Sequence, residues 1–288
     1  MSDPEPERNI SGGESGGGET AAFEAGDAED AATRAEAVVD RLGELYWTKT
    51  YGGRDAFECL VRTILSQNTS DKASQPAHDA LMDRYGSGEN GDGEGTGDGH
   101  DLAAALADAE QSELAETISS AGLYNQKSRR IIDLAALVCE EYGGEAEFDR
   151  FVREEDPEAV RETLLEMNGV GPKTADCVLL FAGGRDGVFP VDTHVHRIAR
   201  RLGIAPADAD HEGVREALEA SVPAEKCGFG HTAMIQFGRE YCSAREPACL
   251  DDPEACPMAD LCEQVGVYPA SGEVVDPAEA SEAAETSG

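Results

Sequence analysis

Apolar side chains recur at intervals of three and four residues along most of this sequence, and nowhere do they settle into sustained alternation with polar ones. That spacing puts them on one face of a helix. From Glu29 onward Ala35, Val38, Val39, Leu42 and Leu45 share a face, and over 56–66 Phe57, Leu60, Val61, Ile64 and Leu65 do the same. A polar break, SQNTSDK from Ser66, follows. Further helices are expected near 73–85, 101–108, 111–120, 127–142, 172–182, 193–202, 211–221 and 230–240. Another, introduced by Asp156 as cap and Pro157 as first helical residue, leads into a turn at Asn168. The fold class expected is all-α, with room for a short strand near 188–191.

Three stretches lack this pattern. Residues 1–29 are mostly Gly, Ser, Glu and Asp, 86–101 form a Gly-rich acidic insertion, and 267–288 are acidic and small. None holds enough large apolar side chains to offset the entropy of ordering, so disorder is expected in all three. Together with residues 30–36 they carry −18 of a net charge of −36, and the remainder still stands at −18. Such an excess would ordinarily argue against a nucleic-acid partner. An acidic surface with only five lysines instead suggests a protein adapted to concentrated salt, where the screening length is about 3 Å and long-range repulsion fades. No run reaches membrane length and the N-terminus has no signal-peptide core, so a cytoplasmic protein is expected.

The stretch LLEMNGVGPKT, Leu164 to Thr174, reads as helix, hairpin and helix. Gly169 and Gly171 allow the backbone to turn and to approach another molecule closely, and the N–H groups of the helix begun by Pro172 form an anion site suited to phosphate. Lys173 lies in that helix's first turn. A lone GxG is more often an ordinary connection. Here it is followed by VDTHVHR from Val191 and by Cys242, Cys249, Cys256 and Cys262, within 21 residues. In a cytosolic protein such a cysteine group points to metal rather than disulfides. The separate Cys59, Cys139, Cys177 and Cys227 read as packing residues.

A GVGPKTA hairpin, a VDTH some twenty residues on and a terminal cysteine loop, with GLYNQK from Gly122, VPAE from Val222 and FGREYC ending at Cys242, resemble the endonuclease III family of DNA base-excision glycosylases. The resemblance runs from about Phe57 to Cys262. It implies two helical lobes, 51–186 and 30–50 joined with 187–266, with Lys173 and Asp192 on either side of a cleft. It also implies a bifunctional enzyme that removes oxidised pyrimidines from double-stranded DNA and cleaves the abasic site, working as a monomer. Lys173 would be the nucleophile. An amine of pKa about 10.4 in water must be freed of its proton to act, and a helix N-terminus and partial desolvation both favour that. Asp192 would stabilise positive charge on the sugar and accept a proton, and it is also placed to cap the next helix. His194, Arg197 and Arg245 are candidate phosphate contacts.

Extruding a nucleotide leaves a gap in the duplex. The resemblance assigns its filling to Leu123 and to a residue after the first helix of the lobe, for which both Gln67 and Asn68 are candidates. The four cysteines, separated by six, six and five residues, lack the short pair usual in zinc sites. The family's 4Fe-4S cluster accepts wider loops, although LDDPEA here replaces a two-residue spacer. Two alternatives remain: a monofunctional adenine or thymine mismatch glycosylase, whose members generally lack a lysine at the position of Lys173, and a noncatalytic helix-hairpin-helix DNA-binding protein.

Overall fold

The computed structural model describes residues 20–86 and 101–280. Its elements are overwhelmingly helical: α1 (Arg34–Gly43), α2 (Ala56–Ser66), α3 (Asp71–Tyr85), α4 (Leu102–Ala107), α5 (Gln111–Thr117), α6 (Tyr124–Tyr142), α7 (Glu145–Glu154), α8 (Pro157–Glu166), α9 (Pro172–Phe181), α10 (Thr193–Leu202), α11 (His211–Ser221) and α12 (Cys227–Glu240). Two antiparallel pairs of two-residue strands complete the described part, β1 (Thr20–Ala21) with β2 (Thr48–Lys49) and β3 (Val267–Tyr268) with β4 (Glu273–Val274). None of these helices is long and apolar enough to cross a membrane. The chain forms two compact units, one of residues 51–185 and one in which the segment up to Thr50 joins the segment from Asp186.

The continuous unit is built around α2. Asp55 caps it, accepting from the N–H groups of Phe57 and Glu58 at 2.9 and 3.0 Å. Phe57, Leu60, Val61, Ile64 and Leu65 are completely buried, each contributing about 1.5–3 kcal/mol by leaving water. The helix packs against α9, α6 and α7, in which Val178 and Leu180, Ile131, Leu134 and Val138, and Phe148 are likewise buried. The helix α7 is absent from the sequence reading. Only Phe148, Phe151 and Val152 carry its apolar face, and the acidic residues around them, EAEFDRFVRE, disguise the period.

The discontinuous unit packs α1 against α11 and α12, and α12 against α10. Val38, Val39, Leu42, Ile198, Phe229 and Met234 lie in its core. Lys226, just before α12, reaches Glu36 and Asp40 of α1 at 2.9 and 2.8 Å. The helix α1 begins at Arg34 rather than Glu29, because Thr33 accepts from Glu36 N–H at 3.0 Å and ends the preceding turn.

Three expectations are corrected. Residues 20–29 are ordered: β1 pairs with β2, and the Phe23 ring stacks on Phe229 with centroids 3.8 Å apart. A Cβ at Gly43 would stand 2.4 Å from Phe23, so glycine is what admits that ring. Residues 267–280 are ordered too, since β3 and β4 form a hairpin and the Asp276 carboxylate accepts two bonds from the buried Arg200 guanidinium, both at 3.0 Å. No strand forms at 188–191, where the Phe189 N–H goes to the Glu219 carboxylate at 3.0 Å instead of a ladder. The expected disorder of 1–19, 87–100 and 281–288 lies outside the described residues.

Candidate functional site

The hairpin joins α8 to α9. Val170 N–H bonds back to Met167 O at 3.0 Å, Gly169 takes φ 87°, and Gly171 leads into α9 without any side-chain cap. A Cβ at Gly171 would meet nothing within 4 Å, so the backbone lies open to a ligand there. Uncapped helix N-termini are anion sites. The two helices are held together by the Arg161–Asp176 pair, 2.7 Å apart and almost wholly buried. Lys173, half-buried, stands one residue beyond Pro172. Burial pushes the nearby Cys59 thiol up to about 12 even though the Lys173 charge acts the other way, so Cys59 stays a neutral packing residue.

Gln67 and Asn68 are placed differently. The Gln67 amide donates to Gly169 O and to Thr174 Oγ1, both at 3.1 Å, and its oxygen accepts from Arg130 at 3.4 Å. Its side chain therefore braces the hairpin. Asn68 is exposed with φ 51°. Leu123 has φ 47° and is 55 % exposed, with Tyr124 beside it at 40 %. Among the described residues of this unit, Asn68 and Leu123 are the two non-glycine residues with positive φ, a conformation that costs energy and recurs at functional sites. Sequence reasoning missed Gln67 as a brace, and also Arg130, whose side chain packs against Gly169.

In the other unit Asp192 caps α10, its Oδ1 accepting from His194 and Val195 N–H at 2.9 Å each. The carboxylate is half-buried and oriented by the bonds it accepts. The Arg197 guanidinium donates to Cys242 O at 2.8 and 3.2 Å and lies 3.1 Å from His194 Nδ1. It holds the start of the cysteine loop, and burial lowers its pKa from the usual guanidinium value. Arg245, between the first two cysteines, is exposed.

The four cysteines line one apolar cavity together with Leu202, Phe237 and Met258. Burial pushes the Cys249, Cys256 and Cys262 thiols up, the last two to about 11 and about 12. Two N–H groups point at sulfur: Gln264 N–H to Cys262 at 3.3 Å and Arg201 to Cys242 at 3.6 Å. Arg201 also grips Ser243 O and Ala244 O at 2.7 Å each. Asp251 to Ala255, within the longer spacer, are exposed and turn outward. Among the described residues no three His, Cys, Asp or Glu side chains close on a point as one ion requires. Thiols spaced around an apolar cavity, with N–H donors to sulfur, suit a multi-atom cluster better.

An uncapped hairpin helix with a lysine in its first turn and an aspartate-capped helix are features of a helix-hairpin-helix DNA glycosylase. The model of the HhH-GPD superfamily base excision DNA repair protein matches residues 61–224, and the chain belongs to that superfamily, within its endonuclease III family of base-excision repair glycosylases. Endonuclease III of Thermotoga maritima is 32 % identical over 73 % of this chain and 83 % of its own length. That of Bacillus subtilis is 32 % identical over 72 % and 81 %. Among solved structures, a trapped endonuclease III–DNA covalent intermediate aligns with TM-score 0.58 and 30 % identity, covering 73 % of this chain and 84 % of that one.

Proposed function

We propose that this glycosylase is bifunctional, removing oxidised pyrimidines from duplex DNA and then cleaving the abasic site through a Schiff base on Lys173. The observation that carries the reading is the amine in the first turn of the uncapped helix α9, immediately after the open Gly171. The covalent intermediate trapped for a relative supports it. The Lys173 amine attacks C1′ as the bond from C1′ to the base breaks, and the base departs with that electron pair and takes up a proton from water. Asp192 stabilises the positive charge building on the sugar and accepts a proton from the attacking nitrogen. The sugar ring then opens to an imine, which acidifies the C2′ proton. Its loss expels the 3′ phosphate by β-elimination, and water releases the amine.

The hairpin N–H groups bind backbone phosphate, while Leu123 and the outward Asn68 enter the gap left by the extruded nucleotide. Gln67 braces the hairpin instead, and Arg245 is the better phosphate contact than Arg197. Cys242, Cys249, Cys256 and Cys262 would hold a 4Fe-4S cluster, which when bound cross-links the C-terminal loop and presents Arg245 to DNA.

Borohydride reduction with abasic-site duplex tests the reading. The wild type should give a covalent protein–DNA adduct and Lys173→Ala should give none. Undiminished adduct in the variant removes Lys173 from the role. Excision without any adduct in the wild type would mark a monofunctional glycosylase, and neither excision nor adduct a noncatalytic binder. Anaerobically purified protein should carry about four irons per chain, whereas stoichiometric zinc would displace the cluster reading.

A further inference from the structure

We propose that Lys127 is a positioning residue whose ammonium fastens the turn carrying Asn68 to the turn carrying Leu123, so that the two side chains enter the base stack as one unit. The proposal rests on the reading that these two residues fill the gap.

Lys127 lies in the first turn of α6 and is only 2 % exposed, among the largest fully buried side chains in the described protein. Its Nζ donates to three oxygens: Leu65 O at 2.7 Å, Thr69 Oγ1 at 2.7 Å and Ala121 O at 2.8 Å. The first two flank Gln67 and Asn68, and the third is two residues from Leu123. Thr69 Oγ1 also contacts Ala121 O directly, closing a ring of polar contacts between the two turns. An ammonium has three donors and no acceptor, so three acceptors satisfy it completely. Burial and the neighbouring Arg130 pull its pKa down to about 8, while the three oxygens hold the proton on.

A buried cation is costly where a methionine would pack as well, and such groups are best explained by the geometry they fix. Here the geometry is specific. Asn68 and Leu123 both hold positive φ, which an unrestrained turn would relax. The ammonium ties both turns down from beneath and leaves the two side chains outward. Lys127 itself, being buried, touches no DNA.

The test compares wild type, Lys127→Met and Thr69→Val. With 2-aminopurine beside an abasic site in duplex DNA, fluorescence reports stack opening independently of Lys173 chemistry. The wild type should brighten the probe, Lys127→Met should leave it near its unbound level, and Thr69→Val, which deletes the bridging hydroxyl, should lie between. Borohydride trapping on the duplex should fall roughly 30-fold in Lys127→Met, the size expected if insertion no longer offsets the cost of unstacking. Trapping on the same abasic site in a single strand, which has no stack to open, should stay within about threefold of the wild type.

Equal losses on both substrates, or wild-type stack opening by both variants, would overturn the positioning role. If Lys127→Met does not fold, Thr69→Val decides alone: unchanged stack opening by it rejects the proposal. A wild type that opens the stack yet yields no adduct would sink the Lys173 reading while leaving the Lys127 result intact.

Discussion

A methyl group added at Gly169 and one added at Gly171 should have opposite consequences. At Gly169 the backbone has positive φ and the Cβ would stand 2.8 Å from Arg130, so Gly169→Ala should lose about 1–2 kcal/mol of stability from the backbone alone. Chemical denaturation measures it. At Gly171 φ is −103° and the space is open, so Gly171→Ala should change stability by no more than about 0.5 kcal/mol. Its methyl would instead hold a phosphate off, and affinity for abasic duplex should fall roughly tenfold, or about 1.4 kcal/mol. Unchanged affinity would remove the hairpin from the phosphate-binding role. The hairpin around these glycines, the place of Lys173 in the first turn of α9 and the cap by Asp192 could be read from the sequence because each is marked by its immediate neighbours. The contacts that Gln67 and Lys127 make could not. Their partners, Gly169 and Thr174 for one and Leu65 and Ala121 for the other, become adjacent only after the helices pack. Lys127 still left a trace, as one of only five lysines in an acidic chain.

Helix termini carry their own chemistry in the pairing of α4 with α7. Asp101 caps α4 through Ala104 N–H at 2.9 Å and also accepts from Glu145 N–H at 2.9 Å, while the Glu145 carboxylate accepts from Leu102 N–H at 2.8 Å. Burial, then the negative charges of Asp55 and Asp101, raise Glu145 to about 7 against those bonds. Its folded pKa thus exceeds the unfolded one, and the folded state retains a proton that the unfolded chain has released. The contribution to stability is full below about pH 4.5 and is lost as pH rises to about 7. Glu145→Gln should flatten the fall in melting temperature over that window relative to wild type; an identical pH profile in both would refute the assignment. Most helices, such as α2 and α10, were legible from period and caps. The exceptions offer too few apolar side chains for a period to register: α7 has three set among acids, and the strands are two residues long.

Across the whole molecule, charge sets the terms on which DNA can be met. Arg197 and Arg201 are committed to carbonyl groups of the cysteine loop, and Lys127 and Lys226 are engaged inside their units. Lysines and arginines number 23 against 59 acids in the whole chain, so the log–log salt slope for abasic duplex should be shallower than that of about six released counterions. A steeper slope, with activity lost at molar salt, would show that the acidic exterior is no adaptation to salt. The ordered segments at both ends were illegible for a related reason. Phe23 stands alone in an acidic stretch, and Asp276 reveals nothing until Arg200 is beside it. The same clasping of distant segments bears on how the chain folds. Glu36 of α1 meets Lys226 across 190 residues, whereas α2 to α9 find their partners among themselves. On a ribosome the unit from Tyr51 to Arg185 can close as soon as it emerges, while α1, made first, must wait exposed for α12. Refolding should therefore show an early phase from the continuous unit and a slower one set by long-range closure, and α1, with its apolar face uncovered in the meantime, is where misassembly would begin.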